Sequence, residues 1–346
     1  MRVISLASGS SGNALLVEAG STRVLVDAGL PVRLLHGRLR QAGVRPETLT
    51  AILLTHEHHD HTCGAVALAC LHNIPLVADP RTLNEVLIAP AAVRVSGTPA
   101  HDDLPVGKHK RLGALDVRSF PVSHDAAAPC GFVLTTDTWQ VCVAIDTGQV
   151  SPAMARALRE AHLLVIEANH DEHLLEAGPY PGHLKRRIRG ATGHLSNRQT
   201  AAALAQALDG GPRWVWLAHL SRTNNTPHLA RTTIHTQLQT QGHERVVLQV
   251  MPPDFGPIWE SPADTAVRAR QASLWSAPPP DRGHAPESGA TIPREPDTAM
   301  VGNTRGAFAA DVAHEDENLG DGAPPTGSHV GGAQPDIAAS GPVRGT

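Results

Sequence analysis

An α/β sandwich, with sheets inside and helices outside, is the fold class this sequence predicts, and three observations carry the prediction. Short apolar runs recur through the first 260 residues, each closed by a turn signal. Stretches of helical period alternate with them, several opening with Pro in the first turn or Ser as an N-cap. Polar motifs follow directly on the apolar runs, at the strand-end loops where α/β sheets bind ligands. The chain of 346 residues, 41% hydrophobic, suffices for one large domain or two small ones.

In chain order, VISLA (3–7), ALLVE (14–18) and RVLVD (23–27) read as strands, separated by SGSSGN and AGST turns. AILLT (51–55) and LVA (76–78) follow, with helices at 31–42, 64–72 and 81–88 around them. Strands at 115–120, 131–136 and 140–145 are spaced as hairpins. Beyond them, strands at 163–167, 214–218 and 246–250 alternate with helices at 152–160, 196–208 and 227–241. Hairpin pairs are therefore expected at both ends of the body, with strand–helix alternation between them.

Composition changes near residue 260. Residues 261–346 hold 11 Gly and 11 Pro, with 6 basic against 11 acidic side chains. Such a segment is too poor in apolar residues to offset its ordering entropy, and it is expected to be a disordered tail behind a domain of residues 1–260. That domain carries 23 basic and 22 acidic side chains, so the chain's net charge of −4 belongs to the tail. Binding of nucleic acid must then use a local Arg patch and not a global field. Lys185, Arg186, Arg187 and Arg189 form the densest basic run, readable as a phosphate contact or as a solvated helix face. No apolar run of membrane-spanning length and no secretion signal is present, so a soluble, cytoplasmic protein without a membrane partner is expected. The four cysteines lack C-x-x-C spacing and read as small buried hydrophobes.

The sharpest signal is His56-Glu57-His58-His59-Asp60-His61, directly after an apolar strand. In an extended segment alternate residues project to one side, so this H-x-H-x-D-H spacing can supply ligands to two cations. Without a metal, these titratable groups would repel one another or remain unsatisfied. One loop cannot complete two coordination spheres. His124, Asp146 and His219 each follow an apolar strand and supply the rest; singly each has an ordinary turn or structural reading, and their recurrence argues for ligation. Asp27, in V-D-A-G, is expected to orient the histidine loop by hydrogen bonds. Ser8, Ser10, Ser11 and Asn13, in the S-G-S-S-G-N turn, are candidates for holding a phosphate, with a plain tight turn as the alternative.

These residues resemble the metallo-β-lactamase fold superfamily, whose series of strand-end Asp, H-x-H-x-D-H, His, Asp and His is matched in order across residues 27–219. The resemblance implies a four-layer αβ/βα sandwich. It also implies one metal on His56, His58 and His124, a second on Asp60, His61 and His219, and Asp146 bridging them together with a water or hydroxide. With G-H-L-S-N (193–197) and H-L-S-R-T-N-N-T-P (219–227), the chain looks like the YycJ/WalJ-type branch. That implies a 5′ to 3′ DNA exonuclease with two divalent ions, zinc or manganese, DNA as substrate and a role in DNA repair. Asp60 and His194 are then the catalytic candidates, His194 as proton donor to the leaving 3′-oxygen, and His170 is a further site candidate. A hydrolase of a small thioester, lactone or cyclic phosphodiester is the alternative reading, and a non-catalytic signalling protein a remote one.

Overall fold

The computed structural model describes residues 1–89, 95, 97–211 and 213–262. The expected tail lies outside the described residues except for Ser261 and Pro262; Ser261 is buried, and its N–H donates to the Met1 carbonyl.

The first sheet contains β1 (Arg2–Ala7), β2 (Ala14–Ala19), β3 (Thr22–Val26), β4 (Ala51–Leu53), β5 (Leu76–Ala78), β6 (His101–Asp103) and β14 (Ile258–Glu260), in the order β14-β1-β2-β3-β4-β5-β6. The second contains β7 (His109–Leu112), β8 (Leu115–Pro121), β9 (Cys130–Thr135), β10 (Gln140–Ala144), β11 (Leu163–Glu167), β12 (Arg213–Ala218) and β13 (Val246–Val250), in the order β13-β12-β11-β10-β9-β8-β7. Each sheet is antiparallel at its start and parallel afterwards: β1 to β3 and β7 to β10 are meanders, whereas β3 to β6 and β10 to β13 run parallel. Hairpins thus open each half of the domain, and do not flank it as the sequence suggested. Two polar strands, β6 and β7, mark the passage from the first sheet to the second and have no apolar period to announce them.

Alternation of side chains builds three apolar layers from these two sheets. Val24, Val26, Ala51 and Leu53 of the first sheet meet Val141, Val143, Leu163, Val165 and Trp216 of the second. On the outer face of the first sheet, Leu25, Ile52 and Leu76 pack against α1 (Val32–Gln41), α3 (Ala65–His72) and α4 (Pro80–Ile88). On the outer face of the second, Cys142, Leu164, Ile166 and Val215 pack against α5 (Pro152–Glu160), α8 (Asn197–Ala207) and α9 (Pro227–Thr240). The result is the four-layer αβ/βα sandwich. Helix starts follow local chemistry. Asp79, Ser151, Ser196 and Thr226 each accept a backbone N–H at an N-cap, and Ser196 with Gln199 forms a capping box. Three short helices escape the sequence pattern: α2 (His59–Thr62), α6 (Glu172–Ala177) and α7 (Gly182–Arg189). Among the described residues, no helix is long and apolar enough to cross a membrane.

Trp216 is 1% exposed between the sheets. Trp216→Ala is expected to cost about 3–5 kcal/mol, read as a lower urea midpoint at unchanged slope.

Candidate metal centre

Six strand ends and the β1–β2 loop converge at one edge of the sandwich. Asp27 follows β3, residues 55–61 follow β4, His124 follows β8, Asp146 follows β10, Glu167 ends β11 and His219 follows β12. Three of these residues, Asp27, Asp146 and His219, hold left-handed backbones with φ of 59°, 53° and 53°. That region is costly for residues with a Cβ and persists where surrounding contacts over-determine it. The left-handed turn breaks each strand just as its side chain enters the site.

The histidine motif is not one extended segment. The chain bends at Thr55 and Glu57, and His59–Thr62 forms a helical turn, closed by donation from the His61 N–H to the His58 carbonyl. The bend separates the motif into two donor groups: His56 and His58 lie with His124, whereas Asp60 and His61 lie with Asp146 and His219. The turn packs against Gly29, where a Cβ would stand 1.6 Å from the Asp60 carbonyl oxygen, so a residue larger than Gly cannot occupy that position.

Asp146 spans the groups. Its Oδ2 lies 2.7 Å from His61 Nε2 and 3.4 Å from His56 Nε2, and its Oδ1 lies 2.5 Å from His219 Nδ1. Asp60 Oδ2 stands 3.4 Å from both His61 Nε2 and His219 Nε2. His124 Nε2 is 3.2 Å from His58 Nδ1. Asp27 is 1% exposed; its carboxylate accepts the Thr55 N–H and hydroxyl and lies 2.8 Å from His61 Nδ1, so it braces the start of the loop and one imidazole together.

Carboxylates set the electrostatics. Burial opposes charge on His61 and His219, yet the surrounding aspartates hold both well above the usual histidine range. Burial also opposes charge on His194, but Glu167 and Asp146 outweigh it and raise its pKa to about 9. At His56 and His124 burial dominates, and the rings are held neutral. One half of the site therefore gathers negative charge that attracts a cation, and the other offers neutral imidazoles. His56 Nε2 and His219 Nε2 are buried with no hydrogen-bond partner among the described residues, a state that costs about 1–3 kcal/mol for a polar atom unless a ligand takes it. Mixed imidazole and carboxylate donors suit zinc or manganese, so the residues fit divalent cations.

Glu167 is the residue that sequence reasoning missed. Fully buried, it accepts the Thr147 and Leu195 N–H groups, and its Oε1 lies 2.7 Å from His194 Nδ1 and 3.0 Å from His219 Nδ1. With Asp146, His194 and His219 it completes a third possible donor group that overlaps the second. Its signal in the sequence is an acid closing the otherwise apolar strand LLVIE.

The Ser8–Asn13 turn divides. Ser8 is buried and its hydroxyl accepts the His219 N–H; Asn13 is buried, accepts the Gly9 N–H and reaches toward Asp60 and His61. Both side chains are hydrogen-bonded within the protein, beside the His219 and Asp60–His61 segments. Ser10 and Ser11 are exposed, and Ser11 accepts a hydrogen bond from Arg222. His170 is 1% exposed, with burial lowering its pKa to about 4; its carbonyl accepts the Asn197 N–H behind the site.

Two stacked mixed sheets with a His/Asp cluster at their strand ends define a metallo-hydrolase of the metallo-β-lactamase fold. A model of the β-lactamase superfamily domain matches residues 22–220. Over 233 residues the chain is 39% identical to the exodeoxyribonuclease WalJ of Streptococcus pneumoniae, covering 67% of this chain and 86% of that protein. Over 240 residues it is 36% identical to the exodeoxyribonuclease YycJ of Bacillus anthracis, covering 68% and 89%. The solved structure of Zn²⁺-bound PqqB from Methylobacterium extorquens superposes with a TM-score of 0.59 at 16% identity, over 75% of this chain and all of that one, a likeness of fold. The chain belongs to the β-lactamase superfamily, in the branch that holds WalJ and YycJ.

Loss of a group that orients metal-ligating histidines typically costs 10–100-fold in metal affinity. Glu167→Gln is expected to weaken metal binding by about that factor in a chelator competition, with the far-ultraviolet dichroism unchanged.

Proposed function

We propose that this protein is a metal-dependent nuclease that removes nucleotides from the 5′ ends of DNA, using two divalent ions, zinc or manganese. The observation that carries this reading is the pair of donor groups joined through Asp146. In this reading His56, His58 and His124 would hold one ion and Asp60, His61 and His219 the other, with Asp146 placed between the two groups. When bound, such ions supply Lewis acidity at a phosphoryl oxygen and a deprotonated water at neutral pH. The protein's own groups do the rest. Asp60 and Asp146 place negative charge where the cations would sit, and Asp27 and Glu167 fix the rings of His61, His194 and His219.

His194 is the proposed proton donor to the leaving 3′-oxygen. Its Nδ1 is fixed on Glu167, and 21% of its side-chain surface remains exposed. Ser10 and Ser11, exposed on the β1–β2 loop, are the groups proposed to receive a terminal 5′-phosphate and so to set polarity. The identity of the curated relatives supports DNA as substrate, and with it a place in DNA repair. Four free thiols support a cytoplasmic setting.

Asp146→Ala is expected to abolish metal-dependent release of nucleotides from 5′-phosphorylated duplex DNA, and undiminished release would sink the assignment. His194→Gln should lower kcat by about 10²–10⁴-fold with little change in KM. Replacing both Ser10 and Ser11 with Ala should erase the preference for a phosphorylated over a hydroxyl 5′ end, measured as the ratio of kcat/KM on the two substrates.

A further inference from the structure

Helix α7, Gly182–Arg189, buries none of its side chains, although its chain leads straight into the active site. Its eight residues, GHLKRRIR, include four cations and no acid. Stability does not call for such a sequence. Like charges at i and i+4, as at Lys185 and Arg189, oppose a helix, and the only apolar side chains, Leu184 and Ile188, are half-buried, a narrow stripe that rewards the helix little. Cations near the C-terminus do answer the helix dipole, but four are more than that end requires. Two acids from outside respond: Asp125 accepts from Arg187 at 2.7 Å and Glu176 from Arg189 at 2.6 Å. Both pairs are partly solvent-exposed, so they contribute little and yield to a competing anion. Arg186 is exposed and has no hydrogen bond or ion pair among the described residues.

Placement gives these charges a purpose. Asp125, which holds Arg187, follows His124 directly and has an Oδ1 3.5 Å from the His124 ring. The segment leaving the helix is stitched to the same rim: Ser123 donates to the Ala191 carbonyl, His124 Nδ1 lies 3.3 Å from the Gly193 carbonyl, and the His194 N–H donates to the Ile188 carbonyl. A polyanion laid along α7 would therefore lead to the imidazoles of His124 and His194.

We propose that α7 is the track for the phosphodiester backbone of the DNA strand being degraded, with Lys185, Arg186, Arg187 and Arg189 contacting successive phosphates downstream of the scissile bond. The proposal rests on the nuclease reading and specifies where that enzyme grips its substrate. Because residues 1–260 carry almost no net charge, this local stripe supplies the electrostatic attraction that a global field does not.

The test follows kcat/KM of the full-length protein on a 5′-phosphorylated oligonucleotide across a salt series, for Arg186→Gln and for Lys185→Gln combined with Arg186→Gln. Each lost phosphate contact is expected to flatten the slope of log(kcat/KM) against log[salt] by about 0.7–0.9, with the loss in KM and not in kcat. Arg186→Lys should keep the wild-type slope. So should Arg245→Gln, which removes a charge just before β13, at the strand ends opposite the site. An unchanged slope in the double variant, with wild-type DNA cleavage intact, overturns the track and leaves the nuclease reading standing. Failure of the wild-type protein to cut DNA while it hydrolyses bis(p-nitrophenyl) phosphate overturns both.

Discussion

Asp146 is a carboxylate that the fold removes from water, 2% exposed, and surrounds with the rings of His56, His61, His194 and His219. A buried charge of this kind costs several kcal/mol unless it is paired and hydrogen-bonded. The partners come from the loops after β4 and β12 and from the segment between α7 and α8, which no single supersecondary unit contains. The requirement that these imidazoles reach one carboxylate fixes where both sheets end. It also explains why the strands stop in left-handed residues at Asp27, Asp146 and His219: a continued strand would carry each side chain past the site, and the interlocking contacts hold the strained turn in place.

A second tier of polar groups gives those imidazoles one orientation each. Asp27 takes the Nδ1 side of His61, Glu167 takes that of His194 and of His219, and Thr55 contacts that of His56 at 3.0 Å. Rings fixed this way lose little entropy on binding a cation. Both carboxylates of this tier are buried, and in each one oxygen accepts backbone N–H while the other faces a ring, so strand geometry and ring geometry are set by the two oxygens of a single carboxylate.

Much of this was legible in the sequence, for a physical reason. Charged residues directly after an apolar run, as in residues 51–61, have few places to go except a shared site. The continuous apolar strands were readable because burial on both faces demands them, as Leu163 to Ile166 show. Glu167 was not readable, because an acid at the end of LLVIE looks like a strand meeting solvent; only the contacts of β11 with its neighbours reveal full burial. The internal partners of Ser8 and Asn13 were not readable, since nothing local says that a hydroxyl at position 8 will meet an amide at position 219. Strands β6 and β7 were silent because their residues are mostly polar and owe their shape to what they pair with, whereas α7 was offered by its basic run only as one of two readings.

The hydrogen bond from the His219 amide to the Ser8 hydroxyl joins residues 211 positions apart and borders the candidate metal centre. Contacts of such long range form late, after the intervening loops have closed. On a ribosome adding about 5–20 residues per second, the N-terminal hairpin waits on the order of tens of seconds for its partner to emerge. Throughout that interval the H-x-H-x-D-H loop exists without the β12 loop that completes it. The enzyme's chemistry is therefore timed by its own synthesis: a nascent or truncated chain exposes histidines but no assembled cleft, and competence arrives only when both ends of the domain have met.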